Sequence, residues 1–296
     1  MPRTVVGYAS ILLAACFWGG SASLGKRLLA AGVPTTMLME VRTLLSGGVM
    51  VGALALRSPA RLRVSSRDLP LLVVYGVSLA GVNVSYYEAV RGLPVATAVF
   101  IQFTAPALVF AYGVASGHER PRPATTAALV LSMVGTNLMV GGAPAALGSL
   151  PTVGLACAVA STVLFAFSVV VSHRLARRLP VTTVVAYGWI VAGLFWAIVQ
   201  SVPATVRQLA TLGLVGPAMS FACLSMLVPM PLFTAGVARV SATGAAIAAS
   251  SETVAASAIA FLVLGEALSP AQLVGGVLIL GSVLLLATRR ESSVSV

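Results

Sequence analysis

Charge is scarce in this chain. Only 8% of its 296 residues are Asp, Glu, Lys or Arg, against roughly a quarter in an ordinary soluble domain. Asp68 is the sole aspartate, so aspartyl hydrolysis inside a membrane has no pair of acids to use. His118 and His173 lie too far apart to form a two-histidine metal motif on one helix. No glycine loop ends in Lys-Ser/Thr, which leaves ATP-driven transport within this chain without a phosphate cradle. The cysteines Cys16, Cys157 and Cys223 each fall inside an apolar stretch, where a thiol behaves as a small hydrophobe. No disulfide, metal site or cofactor is expected.

What the chain has in excess is apolar surface. Hydrophobic residues make up 58% and mean hydropathy is +1.02, more than a soluble fold can cover, so the expected solvent is lipid. A formal charge of +11 could suggest a nucleic-acid partner. That partner calls for basic residues gathered on one face with aromatics between them. Here they sit in short loops between apolar runs, and no nucleic acid is expected.

Apolar windows bounded by charge, Pro or Gly predict ten spans, at residues 7–29, 34–56, 69–91, 95–115, 124–141, 151–173, 181–202, 213–235, 242–264 and 271–288. Each is long enough to cross about 30 Å of hydrocarbon as a helix. Helix is required because an unpaired backbone group in lipid costs several kcal/mol. The fold class is therefore all-α integral membrane. The first span follows Arg3 like a secretory leader, but it has a counterpart in the second half, and removing it would leave a repeat incomplete.

Loops rich in Lys and Arg stay cytoplasmic. With the N-terminus inside, that side carries thirteen basic residues: Arg3, Arg57, Arg61, Arg63, Arg67, Arg120, Arg122, Arg174, Arg177, Arg178, Arg239, Arg289 and Arg290. The other side carries Lys26, Arg27, Arg91 and Arg207, and Arg42 lies within a span. The expected location is the cytoplasmic (inner) membrane, with both termini cytoplasmic.

One offset, 147, aligns most of the two halves. It places Gly7 on Gly154, Lys26-Arg27-Leu28 on His173-Arg174-Leu175, Thr35-Thr36 on Thr182-Thr183, and Glu119 on Glu266. The expected organisation is two five-helix units, residues 1–146 and 147–296. Five is odd, so the second unit enters the membrane from the opposite side, giving inverted repeats about an axis in the membrane plane.

An ionisable group at membrane depth costs about 3 kcal/mol on insertion scales, so each is a functional candidate. Four qualify: Glu40, Arg42, Glu88 and Glu252. Glu252 falls about 15 Å into its span, near mid-depth. A carboxyl there could couple a proton to transport or take a substrate ammonium; it could equally be a structural acid paired with Arg42 or bonded to Ser250 or Ser251. Glu40 and Arg42 are two apart on one helix, so each needs a partner elsewhere, and Arg42 reads as structural. Glu88 and Arg91, three apart, could pair locally. Trp18, Asn83, Tyr86, Tyr87 and Gln102 could line a cavity, with interfacial anchoring or interhelical hydrogen bonding as the plainer roles. Glu119 and Glu266, at matched span ends, read as helix caps or partners of loop arginines. Gly48-x-x-x-Gly52 and Gly113-x-x-x-Gly117 permit close helix packing without specifying a dimer, so monomer and homodimer stay open.

Several motifs, in order, resemble the drug/metabolite transporter superfamily, specifically its EamA-type members. They are Phe17-Trp18-Gly19-Gly20; Arg42; Tyr86-Tyr87-Glu88-Ala89-Val90 running into Gly92-Leu93-Pro94-Val95-Ala96-Thr97-Ala98; Pro106 followed by Glu119-Arg120; Gly236-Val237-Ala238-Arg239-Val240-Ser241-Ala242-Thr243; Glu252; and Leu264-Gly265-Glu266-Ala267-Leu268. The resemblance implies a secondary transporter, often an exporter of amino acids or other metabolites, with a cavity formed largely by spans three, four, eight and nine. Thr253 stands where that family commonly carries Pro, which questions a kink in span nine, whereas Pro106 keeps one in span four.

The expectation is a small-metabolite transporter, such as an amino-acid exporter, working by alternating access and coupled to protons. Multidrug or cationic-compound efflux is the nearest alternative. A membrane enzyme would cluster its reactive groups at one face and a scaffold would carry soluble extensions, and this sequence does neither.

Overall fold

The computed structural model describes residues 3–93, 95–141, 151–264 and 267–288. Pro94, Gly265, Glu266 and the pair Arg289-Arg290 lie outside the described residues. The described chain folds into α1 (Arg3–Ala30), α2 (Thr35–Arg57), α3 (Leu69–Gly92), α4 (Val95–Gln102), α5 (Ala105–Ala115), α6 (Pro123–Val140), α7 (Thr152–Ala176), α8 (Val181–Val199), α9 (Val202–Thr211), α10 (Val215–Ala222), α11 (Pro229–Val237), α12 (Ala242–Ala249), α13 (Ser251–Ile259) and α14 (Pro270–Thr288). They supply ten helical spans long and apolar enough to cross a membrane, nine of them within three residues of the range expected from the sequence, while the first is Arg3–Ser21 instead of 7–29.

The difference from expectation lies between spans seven and eight. Residues 202–211 form a separate short helix, α9, begun by Pro203 in its first turn, where a missing N–H costs nothing. Thr205 and Leu209, four apart, are buried while Arg207 points out, so α9 lies against the bundle by one face.

Three spans are broken. Span four stops at Gln102 and resumes at Ala105, with Pro106 in the first turn of α5. Span nine breaks at Ser250 without a proline at Thr253. Hydroxyls do there what a ring would have done: Ser251 donates to the Ala248 carbonyl at 2.6 Å and Thr253 to the Ser250 carbonyl at 2.8 Å. The backbone tightens to three-residue hydrogen bonds, Ser250 N–H to Ile247 and Thr253 N–H to Ser250. The two breaks sit at positions related by the offset of 147, Gln102 and Ala249 being the last residues before each. Span eight widens into a π turn over Cys223–Leu227, just ahead of Pro229 and Pro231.

Cross-helix contacts fix which ends lie together. Near the start of α1, a Cβ on Gly7 would come within 2.7 Å of Val240; Glu119 meets Thr243; and the His173 ring meets the Val237 carbonyl. At the opposite face Gly92 approaches Gly154 and Gln272 bonds the Met139 carbonyl. The face holding the starts of α1 and α12 is called the terminal face below, and the other the far face. α6 and α14 are in backbone contact, since a Cβ on Gly135 would lie 2.7 Å from the Gly275 carbonyl oxygen. The expected packing glycines Gly48 and Gly52 instead meet open space, because they turn away from the bundle; neighbouring Gly47 makes the close approach, 2.8 Å from the Ile190 nitrogen.

Candidate functional site

Arg42 on α2, Asn83, Tyr86 and Tyr87 on α3, and Glu252 on α13 converge near mid-depth. The Asn83 amide donates to the Leu79 carbonyl at 2.7 Å, which fixes its oxygen to accept from the Arg42 guanidinium. One of five guanidinium N–H groups is thereby used. The Arg42 Nε is buried with no partner among the described residues. The charge of Arg42 acts on both the Tyr87 hydroxyl and the Glu252 carboxyl. Even so, no ion pair within 4.0 Å joins Arg42 to Glu252. Glu252 also interacts electrostatically with Tyr86, whose ring stands edge-on to Tyr87 at 5.4 Å. Neither Ser250 nor Ser251 bonds the Glu252 carboxyl: the Ser250 hydroxyl is buried without a partner among the described residues, and Ser251 is turned to Ala248.

Accessibility shows where the bundle is open. A packed span alternates between a buried stripe and a lipid-facing one, with a period of 3.6 residues. Residues 69–80 of α3 alternate in this way, but 81–87 are all partly accessible, as are 99–104 and 252–260. Six to nine consecutive half-buried residues cover every direction around a helix, so these stretches face an opening as well as lipid. All three lie toward the far face. Toward the terminal face the bundle is shut, and nine consecutive residues, 243–251, are buried. Closure there includes Glu119, which accepts from the Thr243 N–H at 3.3 Å, beside Ser241, which accepts from Gly244 at 3.0 Å. Glu119 thus caps α12 in the other half of the chain.

Among the described residues, the remaining candidates show no side-chain hydrogen bond or ion pair to this cluster. Trp18 donates its indole N–H to the Ser225 carbonyl at 2.9 Å, inside the π turn, and packs against Phe233 with the rings tilted and their centroids 5.2 Å apart. Its N–H is therefore committed to joining α1 to span eight. The Gln102 side chain, half-buried at the end of α4, forms no hydrogen bond with another described residue. Glu40 is 1% exposed and accepts from the Thr205 hydroxyl of α9, while its Oε1 has no partner among the described residues. Glu88 and Arg91 pair at 2.9 Å on the surface. Thr205 was missed from the sequence, where it reads as a loop residue; its i,i+4 spacing to Leu209 behind Pro203 was the available signal.

Ten apolar spans around an acid and an arginine that form no ion pair with each other, opened to one face and shut at the other, have the architecture of a multi-pass membrane transporter. The sequence model of the EamA-like transporter family matches residues 5–141 and again residues 152–288, a displacement of 147. The chain belongs to that family. It is similar to the threonine/homoserine exporter RhtA of Escherichia coli K12, at 27% identity over 96% of this chain and 92% of the relative. It also resembles the inner membrane transporter YicL of Salmonella typhimurium, at 22% identity over 97% and 96%. The aromatic amino acid exporter YddG of Ancylobacter novellus matches at 28% identity over 59% of each chain, so the likeness spans about three fifths of that protein's length. A crystal structure 21% identical in sequence superposes with a TM-score of 0.75 over 96% of this chain and 95% of that one.

Proposed function

We propose that the protein exports amino acids across the cytoplasmic membrane by alternating access, in exchange for protons, with Glu252 as the group that couples the two. The observation that carries this is Glu252 itself: an acid at mid-depth of a broken span, without a hydrogen bond to another described residue, beside an opening to one face. Placing a carboxyl there is costly, and a structural acid would have recruited a partner. A carboxyl that holds either a proton or a substrate ammonium exchanges one for the other.

The two units, 1–146 and 147–296, serve as the moving halves, inverted with respect to each other. The positions at which spans four and nine break correspond through the 147-residue offset, which supports this reading. The excess of arginine in the loops of the terminal face favours cytoplasmic termini; the far face is then external and the opening outward. Related exporters named for threonine, homoserine and aromatic amino acids favour an amino acid as cargo. Efflux of purely cationic compounds is disfavoured by Arg42, whose fixed charge faces the same opening.

The test is uptake of labelled amino acids into proteoliposomes under an imposed proton gradient. Wild type should show gradient-dependent flux, and Glu252→Gln should keep binding measurable while losing that dependence. Unchanged coupling in the variant would remove Glu252 from this role.

A further inference from the structure

We propose that Arg42 and Glu252 are the two poles of a clamp for a zwitterion, Arg42 taking the carboxylate and Glu252 the ammonium of an α-amino acid. This rests on the amino-acid reading above and names the groups that hold the cargo. Opposite charges that share a low-dielectric space attract strongly, and side chains as long as Arg and Glu can usually close on each other. Here they sense each other electrostatically yet stay more than 4.0 Å apart.

The gap has a structural cause on the Arg42 side. Asn83, held by the Leu79 carbonyl, ties one guanidinium nitrogen to α3, and Nε is left buried without an acceptor. A buried donor with no acceptor costs about 1–3 kcal/mol, and a carboxylate meets a guanidinium through two parallel N–H groups. The vacant Nε together with a terminal nitrogen is such a fork. Across the opening, Glu252 offers an acceptor that no described residue uses. Tyr86 and Tyr87 stand beside the pair as an edge-to-face wall. A ligand bearing only an anion would leave Glu252 without its partner, and one bearing only a cation would leave Arg42 so. A molecule with both charges on one carbon satisfies both.

Arg42 is thereby a binding residue, which separates the proposal from the structural role read from sequence. A structural Arg42 would affect all cargoes alike, whereas a pole affects them by their charge. The full chain is reconstituted and labelled L-threonine and L-phenylalanine are used as probes. The competitors are the methyl ester of each, which keeps the ammonium, and the corresponding deaminated acid, which keeps the carboxylate. Each competitor should be weaker than the parent amino acid by about 100-fold or more on wild type, because a site built around a polar group rejects the analogue lacking it. Arg42→Gln should bring the amino acid and its methyl ester to within a few fold of each other while still rejecting the deaminated acid. Glu252→Gln should do the reverse.

Parallel loss of all ligands in Arg42→Gln would overturn the clamp. Should that variant not fold, Arg42→Lys, which keeps the charge but not the fork, and the wild-type competition series still decide. Wild type that discriminates against neither analogue also overturns it. Wild type that moves amines but no amino acid overturns both this proposal and the cargo reading, whereas amino-acid transport with unmoved ratios in the variants overturns the clamp alone.

Discussion

Gly19→Ala tests whether the position of Glu252 is set by backbone contact between α1 and α13. A Cβ built on Gly19 would lie 2.5 Å from the Ala256 nitrogen, 2.9 Å from the Ala255 carbonyl carbon and 3.0 Å from the Ala256 Cα. Ordinary contact begins at 3.4 Å, so α13 must retreat by about 0.9 Å, and because all three neighbours are backbone no rotamer can absorb the change. Ala256 is one turn beyond Glu252 on the same helix face, so the carboxyl moves with it. Overpacking of this kind costs about 1–3 kcal/mol, and a displacement near 1 Å at a reacting or binding group can cost on the order of 100-fold. The control is the neighbour: a Cβ on Gly20 meets only the tip of the Ile259 side chain, at 3.3 Å. Amino-acid uptake and thermal stability in detergent should therefore fall sharply for Gly19→Ala and little for Gly20→Ala. Equal behaviour of the two variants would refute the claim that this contact sets the site.

Other substitutions separate packing from transport. Trp18→Phe keeps the ring against Phe233 but leaves the Ser225 carbonyl unpaired, so melting should reveal a loss of about 1–3 kcal/mol. Thr205→Val removes the hydroxyl bonded to buried Glu40; a similar loss is expected, and protease access to α9 should rise. Glu119→Ala deletes the cap on Thr243, and about 1 kcal/mol of closure at the terminal face should go with it, seen as faster labelling of that face. Exchanging Glu88 and Arg91 should leave stability within about 1 kcal/mol, since the pair is largely exposed.

The ten spans were legible because lipid demands long apolar runs and punishes charge, which also exposed Arg42 and Glu252. Their surroundings were not legible. Arg42 finds Asn83 41 residues away and Glu40 finds Thr205 165 residues away, partnerships created by helix packing that no local pattern encodes. Pro106 announced the break in span four. The break at Ser250 was obscured because hydroxyl-to-carbonyl bonds replace a proline there, and Ser250-Ser251-x-Thr253 is an ordinary sequence inside a helix. The π turn of span eight, whose Ser225 carbonyl receives Trp18, was not expected from the sequence, although Pro229 and Pro231 follow it.

Working as proposed, two inverted units present one site to each face in turn. Gln102 and Ala249 occupy equivalent positions of the two units, yet Gln102 is half-buried beside the far-face opening and Ala249 is 2% exposed. With Cys16, Cys157 and Cys223 replaced by alanine, single cysteines at these two positions can be labelled with a membrane-impermeant thiol reagent in right-side-out and inverted vesicles. Position 102 should react from the far face and position 249 from the terminal face. Reversing the substrate gradient should move the two rates in opposite directions. Rates that rise and fall together, or one position reached from both faces, would rule out such alternation.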